Sequence, residues 1–569
     1  MSTLRDLFFI GLCTALLTFF GVLQRPIQKS SEGRVGRVAQ EMLEDGDWAV
    51  PHLNGVVRIE KPPFASWLVA LVSLGAAKLT GSEHGNVPEV QAWHVYVPPG
   101  LATIALVLLI YLWMKRLERV PHEKEKRVDR GMLAALALAA APGFFIQARS
   151  AESDMLLALF VAAAFYGFWK SRAEGSRGGL LFAYAALGLS ILTKGHVGLA
   201  IVVPALLSWL LIEHTRSALP PKRSASLWHA AGVLLILVIV LPWAIPFLQR
   251  SGFTWQDFNK EGLSGRVGSN VPHYEPFYWY AAMVPGWLMP WTLLLAAALW
   301  QTWSLPPDER SPLRRLCWIW LGWGLLLFSL LSSKQRHYVV PMFPAAALLV
   351  ADTFARWWEH PDAARAKWAR ISLVTLSVLF AAGMLAGPIA AEKASLAIVT
   401  DSAALWTIAV LGGAVFVFAA VKLLLRESCL HLWWAGMVCA MVLFSRTVER
   451  HDAVDSPERF CSVVAKIVPP DEVLYDFDVA LPTRKPSPKA RFTPKPVWRA
   501  QVLFYLRRKI FPIDAEFSDF LNAQKSPVYA IATDKNLEGV EPSRYVVLHS
   551  EQKFLGHKNS VLLIRSTGR

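Results

Sequence analysis

The chain has 569 residues, 54% of them hydrophobic and 18% charged, with 24 Trp and 30 Phe. Apolar runs long enough to cross a hydrocarbon core exclude a soluble globular protein and predict a polytopic one. The net charge of +15 sits in short loops between those runs, which is what membrane topology demands, and this excludes nucleic acid as a partner.

The first run, residues 7–23, ends in FFGVLQRP without a small-residue cleavage signal and reads as an uncleaved anchor. Further apolar segments lie at 64–80, 96–114, 131–147, 152–169, 179–193, 197–212, 229–248, 279–303, 316–331, 338–356, 371–390, 403–424 and 429–445. If all of them crossed, with the N-terminus inside, the basic loop KRLERVPHEKEKRVDR (115–130) would face outward and invert the positive-inside pattern. Removing one early span repairs every later loop. Segment 64–80 follows Pro62-Pro63, is short and carries Lys78, so it is read as a helix lying along the interface. About thirteen crossings remain. The N-terminus is then cytoplasmic, and residues 24–95 form a large first outer loop of a membrane domain spanning 1–445. From 446 to 569 the chain turns polar, with helices expected at 456–467 and 497–510 and strands at 472–477, 528–533, 544–549 and 560–565. This reads as a small outer α/β domain. Cys13, Cys317, Cys429 and Cys439 lie in or beside apolar runs and Cys461 in the polar region, so neither a disulfide framework nor zinc spacing is expected.

That topology gathers Glu32, Lys61, Arg149 to Asp154, Lys194, Arg266 and Lys334 to Tyr338 on the outer side. A mid-bilayer charge costs ~2.5–3.5 kcal/mol, so each of these alone reads as a span end reaching for water. Several of both signs on one face of a bundle read as a cavity. Asp154 is either a helix N-cap or a second active-site carboxylate. Glu60 is an ion-pair partner of Lys61 or a donor contact, and Lys194 reaches water or a phosphate. His337-Tyr338 is a polar and aromatic boundary or a substrate contact. Asp45-Gly46-Asp47 and Asp476-Phe477-Asp478 imitate a metal-binding DxD motif, but their settings are those of turns.

EMLEDGDWAVPHLNGVVRIEKPPFASWL (41–68) resembles the first outer loop of the aminoarabinose-transferase-like glycosyltransferases. These are relatives of the protein O-mannosyltransferases with the C-type membrane glycosyltransferase fold. QARSAESDMLLALF (147–160), LTKGHVGLAIVVPAL (192–206), GRVGSNVPHYEPFYWY (265–280), PGWLMPWTLLL (285–295) and SSKQRHYVVPMFPAAALL (332–349) follow in order, so the resemblance covers residues 1–350. It implies an inverting transfer of sugar from a polyprenyl phosphate, such as undecaprenyl phosphate, at the outer face of a bacterial inner membrane. The acceptor would be a lipid A-like lipid, a protein or an envelope glycan. No metal or other cofactor is required, because protein cations can take the charge of the leaving phosphate. Lys61, Arg34, Arg266 and Arg149 are the candidate phosphate ligands, with Glu60, Lys194, His337 and Tyr338 in the substrate pocket. The family's Asp-Glu pair reads Ser31-Glu32 here, so Glu32 is the expected base, with Asp154 as the second catalytic carboxylate. Arg58 stands where an aromatic is common, which implies an altered donor pocket. A binder of the lipid-linked sugar without turnover, or a flippase of it, would use similar charges.

Overall fold

The computed structural model describes residues 2–58, 60–81, 87–117, 128–214, 224–254, 256–257, 271, 273–304, 311–358, 363–393, 402–425, 429–447, 456–477, 479, 499–513, 516–552 and 559–568. The chain divides into two compact units. One comprises Met1–Val22, Ile59–Ala65 and Pro98–Thr447; the other Leu23–Arg58, Ser66–Val97 and Val448–Arg569.

The first unit is helical. Among the described residues, seven helices are long and apolar enough to cross a membrane, or up to nine if each of two bent pairs counts as one span. The expected spans at 131–147 and 279–303 are each a pair of helices bent at a break. Arg130–Ala139 and Pro142–Ala148 meet at 70°, and Trp279–Trp287 and Thr292–Ser304 at 117°. In the first pair Pro142 opens the second helix, where its missing N–H costs nothing but the preceding helix cannot run on. The most enclosed span is Arg336–Trp358, whose 18-residue window is 89% buried. Its Ala345, Ala346 and Ala347 let neighbouring backbones approach, and Phe343–Trp358 packs against Arg130–Ala139, Thr292–Ser304, Pro312–Leu330 and Ala363–Lys393.

Asp154–Glu174 and Arg177–Lys194 form a hairpin closed by Gly175 (φ 65°) and the N-cap Ser176. The two helices touch closely at Gly167, where a Cβ would meet the Gly179 carbonyl at 2.6 Å. Because the connection is short, the start of the first helix and the end of the second lie at the same end of the bundle. The turn Arg336–Met342 packs against Asp154–Glu174 at that end.

The second unit contains a five-stranded sheet in the order Ile510–Pro512, Leu474–Asp476, Tyr529–Thr533, Val561–Ser566, Tyr545–Glu551. The first three strands are parallel, with Leu474 opposite both Ile510 and Tyr529, and the remaining neighbours are antiparallel. Four of these strands match the expected ones. The expected helix at 497–510 is shorter, Ala500–Leu506, and its end is the strand Ile510–Pro512. Alternate residues of the central strands feed two cores. Ile531, Val561 and Leu563 join Val38, Met42, Leu53, Phe460 and Leu503, while Ala530, Ala532 and Ile564 join Phe517 and Leu521.

Helix Ser30–Asp45 stops at Gly46 (φ 68°), and the Asp47 carboxylate accepts from the Ala49 and Val50 amides at 3.0 and 3.1 Å. Asp47 therefore forms a turn. Asn54 (φ 57°) and Gly55 (φ 76°) close a hairpin between His52–Leu53 and Val56–Val57, the left-handed pair such a turn needs. The Asn54 side chain donates to Ile510 O (2.9 Å) and accepts from Ile510 N (3.0 Å). Glu41, itself held by Arg37 at 2.8 Å, accepts from the Asn54 and Gly55 amides at 2.7 and 3.0 Å. The sequence signature is thus a set of backbone instructions.

Candidate active site

Three chain segments converge at one end of the helical unit. Asp154 is the first residue of its helix and is fully buried. Its Oδ1 accepts from the Lys194 ammonium at 2.5 Å rather than from a helix amide. Lys194 closes its own helix, where a cation also meets the carbonyl end of the helix dipole. Its Nζ lies 4.9 Å from the centre of the Tyr338 ring. The His337 ring stands edge-on to Tyr338 at 4.9 Å, with Nε2 at 3.9 Å from Asp154 Oδ2 and Nδ1 at 3.7 Å from Glu152 Oε2. Lys61, in the same unit, adds its charge to the field at both Asp154 and His337. Tyr280 donates to Gln335 O at 2.9 Å, which fixes the turn that carries His337 and Tyr338.

Asp154 Oδ2 is buried without a hydrogen-bond partner among the described residues. A buried carboxylate oxygen in that state is an acceptor waiting for a donor. Lys194 pins the other oxygen, so the free one has a fixed direction. Glu152, Asp154 and His337 also offer one ligand atom each within 4.8 Å of one another, the spacing of a cation-binding triad. Two lysine charges, those of Lys194 and Lys61, act on Asp154.

The structure brings together Asp154, Lys194, His337 and Tyr338, with Lys61 acting electrostatically on Asp154 and His337. Glu152 is the member that the sequence reading missed; it lies two residues before Asp154 in the quoted SAESDM stretch. Arg149 is buried, and its guanidinium donates to Leu17 O (2.9 Å), Thr18 O (3.3 Å) and Phe20 O (2.8 Å), where it closes the end of helix Ser2–Phe19. Glu60 is exposed, and Arg266 lies outside the described residues. Lys334 donates to the Glu275 and Leu331 carbonyls. Burial lowers the pKa of its ammonium from the ordinary lysine value, with the Glu275 charge opposing.

In the second unit Glu32 is fully buried at the start of helix Ser30–Asp45. Its Oε2 accepts from the Gln28 amide (3.4 Å), the Lys29 amide (3.3 Å) and the Tyr96 hydroxyl (3.3 Å). Glu32 is thus the third-position acid that reaches back to the N-cap amide of its helix. Arg34 is half-buried and reaches back to Ser30 O at 3.4 Å.

A bundle of apolar helices with acids and cations converging at one end defines a multi-pass membrane protein. The family model described as dolichyl-phosphate-mannose-protein mannosyltransferase matches residues 60–245. An undecaprenyl phosphate-alpha-4-amino-4-deoxy-L-arabinose arabinosyl transferase 1 of Pseudomonas fluorescens is 29% identical over 57% of this chain and 54% of its own length. The corresponding transferase of Erwinia tasmaniensis is 27% identical over 62% of this chain and 60% of its own. The chain thus spans little more than half the length of these curated relatives. In fold it is similar to ArnT from Cupriavidus metallidurans, solved bound to undecaprenyl phosphate. The TM-score is 0.73 at 20% identity, over 99% of this chain and 98% of that one. In sequence and in fold the chain is thus similar to the aminoarabinose-transferase-like, protein O-mannosyltransferase-related membrane glycosyltransferases, which have the C-type membrane glycosyltransferase fold.

Proposed function

We propose that this chain is an inverting glycosyltransferase that moves a sugar, a pentose such as aminoarabinose or a hexose, from a polyprenyl-phosphate donor to an acceptor hydroxyl. The acceptor is a lipid A-like lipid, a protein or an envelope glycan at the outer face of the bacterial inner membrane. The topology that goes with this reading has about thirteen crossings, a cytoplasmic N-terminus and residues 446–569 outside. One observation carries it: Asp154 Oδ2, an oriented acceptor with no hydrogen-bond partner among the described residues, sits beside Lys194, His337 and Tyr338 within reach of the Lys61 field. The names of the relatives support the same donor chemistry.

In the reaction the acceptor oxygen bonds to the anomeric carbon from the face opposite the phosphate. The carbon–oxygen bond to phosphate breaks, and its electron pair leaves with the polyprenyl phosphate. The acceptor proton passes to a carboxylate, and we assign that base to Asp154. Glu32 is assigned to holding its helix, since its Oε2 already serves three donors. Lys194 and Lys61 neutralise charge growing on the phosphate, with fixed positions that need no reorganisation. Arg266 remains a further phosphate candidate, and Glu60 a donor contact.

The experiment is transfer of labelled sugar from synthetic polyprenyl phosphate to extracted envelope acceptors by the purified chain in detergent, with and without chelator. Covalent transfer unaffected by the chelator is expected. Donor binding without transfer would make the chain a non-turnover binder, and sugar movement seen only in sealed vesicles would make it a flippase.

A further inference from the structure

Helix Pro312–Leu330 gives way to extended backbone at Leu331, and Gln335 is extended again just before the turn Arg336–Met342. Extended chain makes no ladder within itself, so the buried residues Ser333 and Lys334 need backbone partners from elsewhere. Residues 273–275 supply them. Tyr274 pairs with Ser333 in an antiparallel bridge, Lys334 N donates to His273 O at 2.9 Å, and Glu275 N donates to Ser332 O at 3.1 Å. A little further along the same segment, the Tyr280 hydroxyl donates to Gln335 O at 2.9 Å.

The Lys334 side chain ties this short bridge at a third point. Its ammonium donates to Glu275 O at 2.8 Å and to Leu331 O. The Leu331 carbonyl is one of those that a helix end leaves without an intrahelical partner, and it stands at the negative end of the helix dipole. One cation therefore joins the end of Pro312–Leu330, the segment at Glu275 and the chain three residues before His337. Hydrogen bonds from a charged donor are the stronger kind. With these donors on backbone carbonyls, Lys334 holds the fold at a point where other lysines of the outer side meet a carboxylate or a phosphate.

We infer that Lys334 is a positioning residue for sugar transfer. It fixes the turn on which His337 Nε2 stands 3.9 Å from Asp154 Oδ2 and the Tyr338 ring centre 4.9 Å from Lys194 Nζ. Tyr280 is the second hold on the same turn. The inference rests on the glycosyltransferase reading, in which a displacement of ~1 Å at the reacting groups costs ~10²-fold in rate.

The test is transfer of labelled sugar from synthetic polyprenyl phosphate by the full chain in detergent, with turnover and donor affinity measured separately. Lys334→Met keeps the apolar stem and removes the donors. Its turnover should fall ~10–100-fold. Donor affinity should stay within about threefold, because Lys61 and Lys194 lie outside the turn. Hydrogen exchange of the Arg336–Met342 amides should quicken, with exchange in Asp154–Glu174 unchanged. Tyr280→Phe keeps the ring and gives up one neutral bond, so turnover should fall about fivefold with the same split. In the double variant the combined loss should be smaller than the product of the two, since a turn freed by one change has little more to lose. If Lys334→Met is not monodisperse, Lys334→Gln, which keeps a donor but not the charge, should lower turnover at least about fivefold. Wild-type turnover in the folded variant, unchanged exchange in the turn, donor affinity lost at constant turnover, or losses that simply multiply would each overturn the inference. A wild-type chain that transfers nothing would overturn the glycosyltransferase reading, and the inference with it.

Discussion

The two oxygens of Asp154 have different surroundings, and that difference predicts how the residue responds to substitution. Oδ1 is held by Lys194 and Oδ2 has no donor among the described residues. Asp154→Asn keeps the shape and removes the basicity. Single-turnover transfer should fall by ~10²–10⁴-fold with donor affinity nearly kept. Glu32→Gln should instead cost about 1–2 kcal/mol of stability by weakening charge-assisted capping bonds, read by thermal unfolding, with turnover of the folded protein close to wild type. The opposite pattern would return the base to Glu32. Lys61→Ala should weaken donor binding by ~10–100-fold, the usual worth of a bond to a charged group. Lys61→Arg should recover part of it, because reach and geometry differ; donor affinity unchanged in the alanine variant would leave Lys61 outside the site. Asp154, Lys194, His337 and Tyr338 were legible in the sequence because short motifs at span ends carry them. The role of Arg149 was not, since its three carbonyl acceptors are about 130 residues away and a cation at a span end looks the same whether it binds carbonyls or phosphate.

Among the elements, helix Ser30–Asp45 shows how a motif can encode packing. Gly33 and Gly36 lie one turn apart on the face that meets Ala500–Leu506. A Cβ on Gly33 would stand 2.4 Å from Gln501 N, and one on Gly36 would stand 2.6 Å from the Phe504 ring. The first obstacle is backbone and cannot rotate away. Gly33→Ala should therefore destabilise the second unit by about 1–3 kcal/mol through overpacking, although alanine favours the helix itself. Thermal unfolding checks the sign; a stabilised variant would mean that the two helices part at little cost. Nearby, burial, followed by the Glu458 charge, holds the Tyr505 phenol above its ordinary pKa. It stays neutral and accepts from the Ile27 amide at 2.7 Å. Apolar run length was enough to find the apolar helices but not the polar helix Ser30–Asp45. It could not find the breaks at 70° and 117°, because composition stays apolar through them and only the local backbone changes direction.

For the whole molecule, the charge bias of the loops makes the sharpest prediction. If helix Phe64–Thr80 lies along the outer interface, single cysteines at Val56 and Thr80, both exposed positions, should react with an impermeant reagent applied to cells with a permeabilised outer membrane. Protection of Thr80 that disappears when the cytoplasmic face is opened would mean that the segment crosses and that every later loop changes side. The sequence reading treated 24–95 and 446–569 as separate regions, whereas one compact unit draws on both. Pairings over such separations leave no local periodicity to read. They also put the assembly on a clock. Val38, Met42 and Leu53 are buried against Phe460, Val464 and Leu503, which are translated some four hundred residues later. At ~5–20 residues per second, the segment Leu23–Arg58 waits roughly 20–80 seconds for the surface that covers it. During that interval its apolar face has only the membrane interface or a chaperone to lie against. Folding of this loop is therefore a late event of biogenesis, although its residues are among the first to be made.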